Sequence, residues 1–101
     1  MEYGLYNIST ETTTLLIEAE KGRGVIKSIN ICNCHTKDVI IRLFLDDDAD
    51  QISIVENLTV PAGVTLFLDE GLSFNNAVLA LKLQTEAVDV DNEVNVNVII
   101  K

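Results

Sequence analysis

Residues 53–74 read SIVENLTVPAGVTLFLDEGLSF, and the rest of the chain is organised around them. Pro61 is the sole proline, and its fixed φ suits the second position of a tight turn across Val60, Pro61, Ala62 and Gly63. Gly63 is free to take the positive φ that follows. Apolar runs flank the turn on both sides, and Asp69-Glu70-Gly71 ends the second of them.

The pattern outward from this turn is short and strand-like. On the C-terminal side, residues 77–84 place Leu79, Leu81 and Leu83 on one face. Phe74, Ala77, Val78 and Leu81 also fit a helical stripe, but the apolar run is shorter than the roughly 10–12 residues typical of a helix, which favours a strand. Residues 85–93 carry a turn centred on Asp91-Asn92, and residues 94–100 direct Val94, Val96, Val98 and Ile100 inward against Asn95 and Asn97 outward. On the N-terminal side, residues 51–56 form a strand behind the acidic turn Asp46, Asp47, Asp48 and Asp50. Four carboxylates so close cannot all be buried and ionised, so this turn is solvated.

Residues 38–46 set Val39, Ile41, Leu43 and Leu45 on one face and Ile40, Arg42 and Phe44 on the other, both largely apolar. Such a strand lies in the middle of a sheet or against a partner. Residues 25–33 read as one alternating strand with Val25, Lys27, Ile29 and Ile31 as its core face. Residues 2–8 and 12–18 read as two more strands, followed by the polar turn EAEKGRG at 18–24. About eight short strands without a βαβ rhythm predict an all-β, antiparallel two-sheet sandwich of a single domain, residues 1–101. Its topology is jelly-roll or immunoglobulin-like, with a slight edge to the jelly roll.

Composition narrows the function classes. A chain of 101 residues buries about two-thirds of the surface its unfolded form exposes, enough for a core without staples. With 48% hydrophobic residues but only three Phe, two Tyr and no Trp, the apolar content is mostly Val, Ile and Leu, residues that favour strands. It exceeds what a monomer of this size needs, so homo-oligomerisation is expected. The net charge of −9 repels phosphate backbones, which argues against nucleic acid. No apolar run approaches the roughly 20 residues of a membrane span, and the start MEYGLYNIST lacks the order of a signal peptide, so synthesis in a cytoplasm is expected.

Few residues suggest chemistry. Cys32-Asn33-Cys34-His35 gathers soft ligands, but no second His or further Cys exists to complete a zinc site within one chain. A thiol-catalytic arrangement lacks an orienting partner, and neither a nucleophile elbow nor a phosphate-binding glycine loop is present. No catalytic residues and no cofactor are therefore assigned. Asp46, Asp48 and Asp50 have the spacing of the first calcium-loop ligands, with Asp89, Asp91 and Glu93 as a second acidic turn. Gln51 and Asn57 stand where an EF-hand needs Gly and Glu, so solvated hairpin turns are the plainer account. Asn7-Ile8-Ser9 and Asn57-Leu58-Thr59 are formal glycosylation sequons, relevant only to a secreted eukaryotic protein. Tyr3 and Tyr6 are too few for a sugar-stacking platform and suit edge packing.

The order of IKSINICN (26–33), IRLFLDD (41–47), VPAGVTLFL (60–68), DEG (69–71), ALKL (80–83) and the terminal VIIK resembles small virion proteins of tailed bacteriophages, especially those of marine and cyanobacterial hosts. Cys34, His35 and the DDDAD turn lie outside that likeness. The resemblance implies a non-enzymatic part of a phage particle, a capsid decoration or a neck, tail or fibre accessory, made in the host cytoplasm and contacting other virion proteins. Association through the Ile40, Arg42 and Phe44 face fits it, and a calcium-assisted carbohydrate-binding or adhesin module is the competing class.

Overall fold

A computed structural model describes residues 4–19, 25–69, 71–88 and 93–101. Among these residues the short apolar runs form ten strands: β1 (Gly4–Thr10), β2 (Thr12–Ile17), β3 (Val25–Ile26), β4 (Ile29–Asn33), β5 (Val39–Asp46), β6 (Gln51–Val60), β7 (Thr65–Leu68), β8 (Leu72–Ser73), β9 (Ala80–Ala87) and β10 (Glu93–Ile100). No helix occurs among the described residues. Two four-stranded sheets, ordered β1-β10-β4-β7 and β2-β9-β5-β6, and a small β3-β8 ribbon make an antiparallel two-sheet β-sandwich.

The pairings are nested. β5 pairs with β6, β4 with β7, β3 with β8, β2 with β9 and β1 with β10. The chain is one long hairpin with its tip at residues 47–50, rolled so that β10 also meets β4 and β9 meets β5. The core lies between the two sheets. Val39, Ile41 and Leu43 of β5, Leu81 and Leu83 of β9, and Ile31 and Val96 are wholly buried, with Val94, Val98 and Ile100 close behind. Each such side chain contributes about 1.5–3 kcal/mol by leaving water.

The expected central place of residues 39–45 holds, because β5 has β9 on one side and β6 on the other. Inward Val94, Val96, Val98 and Ile100 also hold. Other expectations are corrected. Residues 25–33 are two strands, and Ile26 is buried while Val25 is 61% exposed. The alternation slips at Lys27-Ser28, where Lys27 N–H donates to the Lys101 carbonyl at 2.8 Å and Lys101 N–H donates to the Ser28 carbonyl at 3.0 Å. The proline turn closes one residue later than expected. Val64 N–H donates to the Pro61 carbonyl at 3.1 Å, so Pro61 takes the first position and Gly63, at φ 77°, the third. β9 begins at Ala80, after a turn, and runs through Thr85 to Ala87. The turn centred on Asp91-Asn92, most of the EAEKGRG turn, Tyr3 and Glu70 lie outside the described residues.

Candidate interaction surface

The second sheet turns Ile40, Arg42 and Phe44 outward from β5, as the alternation requires. Phe44 is only 3% exposed, because the Arg42 guanidinium lies 4.2 Å from its ring centroid. Arg42 Nε donates to Glu56 Oε2 at 3.1 Å, and Nη1 donates to Gln51 Oε1 at 2.9 Å. Ser53 Oγ donates to the same Glu56 oxygen, and these two donors hold the Glu56 carboxyl below the usual glutamate range. The aromatic surface of Phe44 is thus spent within the chain.

The acidic tip is an internally bonded turn. Asp46 Oδ2 accepts from Lys82 Nζ at 2.7 Å and Oδ1 accepts from Asp48 N–H at 2.8 Å. Asp47 Oδ1 accepts from the N–H groups of Ala49 and Asp50, and Asp48 takes a positive φ of 73°. Asp46, Asp48 and Asp50 do not converge as ligands, and among the described residues no three His, Cys, Asp or Glu side chains do. Asp89 and Asp91 lie outside the described residues. The Lys82 ammonium and the Asp48 N–H hold the Asp46 carboxyl below the usual aspartate range, and the Asp50 and Ala49 N–H groups do the same for Asp47.

A carboxyl lowered in the folded state adds stability above its unfolded pKa and loses it as pH falls through the folded one. Urea stability is therefore expected to stay level above about pH 5 and to drop below about pH 4. Lys82→Met should shrink that drop. An acid profile that stays flat to about pH 3 would remove the role assigned to these carboxylates.

Between the sheets' turns lies a polar hub, at the residue that ends the strand expected over 25–33. Asn33 is wholly buried at the end of β4. Its Nδ2 donates to the carbonyls of Lys37 and Val60, each at 2.9 Å, while Oδ1 accepts from His35 N–H at 3.0 Å. Its main chain accepts from Gly63 N–H at 2.9 Å and donates to Val64 O at 3.0 Å. One side chain thus fastens the β4-β5 turn to the β6-β7 turn. His35 Nε2 is buried without a hydrogen-bond partner. Cys32 and Cys34 come together on the outer face, Sγ to Sγ 3.4 Å, but His35 does not join them as a third ligand.

The first sheet carries an exposed apolar row. Register aligns Leu5 with Ile99, Ile99 with Asn30, and Asn30 with Phe67, so these four form one row across all four strands. Leu5 is 71% exposed, Ile99 36% and Phe67 54%, and the Oδ1 of Asn30 is buried among them without a donor. Phe67 also lines a groove of about 380 Å³ where β7 faces β6, with Ile26, Ile29, Ile54 and Leu68. β6 is an edge strand whose Ile52 and Leu58 are exposed as well. The signal for the row was present in the sequence. Leu5, Ile99 and Phe67 are apolar residues on the polar parity of their strands, each next to inward neighbours such as Val98, Ile100, Leu66 and Leu68.

No protein-family model matches the chain, and no curated protein matches it. Among solved structures, it is similar to a pentameric capsid protein isolated from metagenomic phage sequences, at 14% identity and a TM-score of 0.49. The alignment covers 95% of this chain and 59% of that one, so the chain spans about three-fifths of that protein's length.

Proposed function

We propose that the protein is a non-enzymatic structural component of a tailed-phage virion, an oligomeric capsid decoration or neck or tail accessory that acts by protein contacts. The observation that carries the reading is the apolar row Leu5, Ile99, Asn30 and Phe67, contiguous through Phe67 with the β6-β7 groove, on a chain otherwise strongly acidic. A contiguous apolar surface of this kind marks a contact in a protein that must otherwise repel its neighbours. The sequence likeness to small phage virion proteins supports the same reading. So does the strand order, β1-β10-β4-β7 facing β2-β9-β5-β6, which we read as a jelly roll. The orphan acceptor of Asn30 receives a donor when a second copy covers the row.

Light scattering coupled to size exclusion tests this. The native chain is expected as a discrete oligomer across concentrations, and more so at higher salt, because screening weakens repulsion between chains of net charge −9. Phe67→Glu, at an exposed position, should leave a folded monomer. Ile40→Lys addresses the other outer face. If it dissolves the oligomer while Phe67→Glu does not, the contact belongs to the Ile40, Arg42 and Phe44 face and our assignment is overturned. A native chain that is monomeric at every concentration removes the self-assembly itself.

A further inference from the structure

Cys32 and Cys34 stand on the outer face of the first sheet, Cys32 in the row next to the one from Leu5 to Phe67, with their sulfurs 3.4 Å apart. Cys34 is exposed and Cys32 partly so. Two chemistries are open to such a pair, and the geometry separates them. A disulfide needs the Cβ atoms about 3.8 Å apart and the sulfurs at about 2.05 Å. Same-face residues two apart in a strand have Cβ atoms about 6.6 Å apart, so closure requires the end of β4 to bend. That end is fixed. Cys34 N–H donates to the Asn95 carbonyl at 2.7 Å, and the residue between the two cysteines is the buried, fully bonded Asn33.

Chelation asks for far less movement. With metal–sulfur bonds of about 2.3 Å, a 3.4 Å separation gives a bite angle of about 95°, and opening it to about 3.8 Å reaches the tetrahedral value. Rotation about the two Cα–Cβ bonds supplies that change.

The surroundings also bring hydrogen-bond donors to the sulfurs. Asn97 Nδ2 donates to Cys34 Sγ at 3.4 Å, and its amide is held in that orientation because Asn7 Nδ2 donates to Asn97 Oδ1 at 2.8 Å. Cys32 has the Thr65 hydroxyl, its cross-strand neighbour, as a hydrogen-bond partner. Asn7, Asn97, Cys32 and Thr65 are successive register partners across the sheet, so the side chains that support the sulfurs come from β1, β10 and β7. The net charge of −9 favours a cation over an anion at any exposed site.

We propose that Cys32 and Cys34 form a two-thiolate clip that binds one soft divalent cation of the zinc and cadmium class, leaving its remaining coordination positions open to water or to ligands from another molecule. Two Cys thiols and one M²⁺ give one dithiolate chelate and two released protons, with no change of oxidation state. The site is independent of the virion reading.

Cadmium titration of the reduced protein tests it, following the thiolate-to-metal charge-transfer band and, in weak buffer, the protons released. The expected result is saturation at no more than one ion per chain, two protons per ion, and at least a hundredfold weaker binding in both Cys32→Ser and Cys34→Ser. His35→Ala should bind as the native chain does. Asn97→Ala, which keeps both sulfurs, should bind more weakly than native. Retained affinity in either serine variant, or no charge-transfer band in the native chain, overturns the proposal. Circular dichroism of the serine variants, expected to match native, keeps a loss of binding from being a loss of fold.

Discussion

Asn33→Leu is expected to lower the melting temperature by roughly 10–20 °C. The substitution keeps the volume and removes three hydrogen bonds at once, leaving the carbonyls of Val60 and Lys37 and the N–H of His35 without their partner. Each buried polar group so abandoned costs about 1–3 kcal/mol, and the Val60 bond is the most deeply buried of the three. A total near 3 kcal/mol corresponds to that temperature shift in a domain of this size. Asn33→Asp gives a sharper test. It keeps the acceptor for His35 but turns a second oxygen toward two carbonyls, so burial and repulsion raise the carboxyl's pKa in the folded state. The native form then holds a proton that the unfolded chain has released, and stability relative to the parent falls as pH rises. Parent-referenced stability that is equal at about pH 4 and pH 7 would show that this side chain does not face those carbonyls.

Leu43→Ala is expected to cost about 3–4 kcal/mol. Leu43 is wholly buried and is paired on both sides, with Leu83 of β9 and Val55 of β6. β6 shifts register on either side of the Leu43 pairing, and Asn57 in that strand takes a positive φ of 48°. The surroundings are thus fixed by irregular backbone and collapse poorly into a vacated space, which puts the cost in the upper part of the range for leucine truncation. Urea unfolding checks this: the midpoint should fall with an unchanged slope. A loss below about 1 kcal/mol would mean that the two sheets are not packed through this side chain.

These positions show what could be read beforehand. β10 was legible because Val94, Val96 and Val98 alternate with asparagines and so fix its inward face, and β5 because its two largely apolar faces require a central place. Residues 25–33 also read as one alternating strand, yet the phase slips where Lys27 and Ser28 bond to Lys101, a partner from the far end of the chain. Local pattern contains no trace of that. Asn33 was equally hidden, since its role comes from two turns that meet only in three dimensions. Phe44 looked like an outward contact because parity places it outward, and Arg42 covering it is a matter of side-chain reach. The apolar row needed register: Leu5, Phe67 and Ile99 are far apart in sequence, and only pairing to β10 and β4 lines them up.

The nested pairing also fixes how costly each step of folding is. Joining two ends of a loop costs entropy that grows with the length left free between them, so closing β1 on β10 in an open chain spans nearly the whole molecule. Once β5 and β6 have met across the tip at residues 47–50, each later pair closes only the short segments added since the previous one. The bonded aspartates at that tip thereby become the place where the molecule starts to form, and its two outermost strands are the last to lock and the first to release.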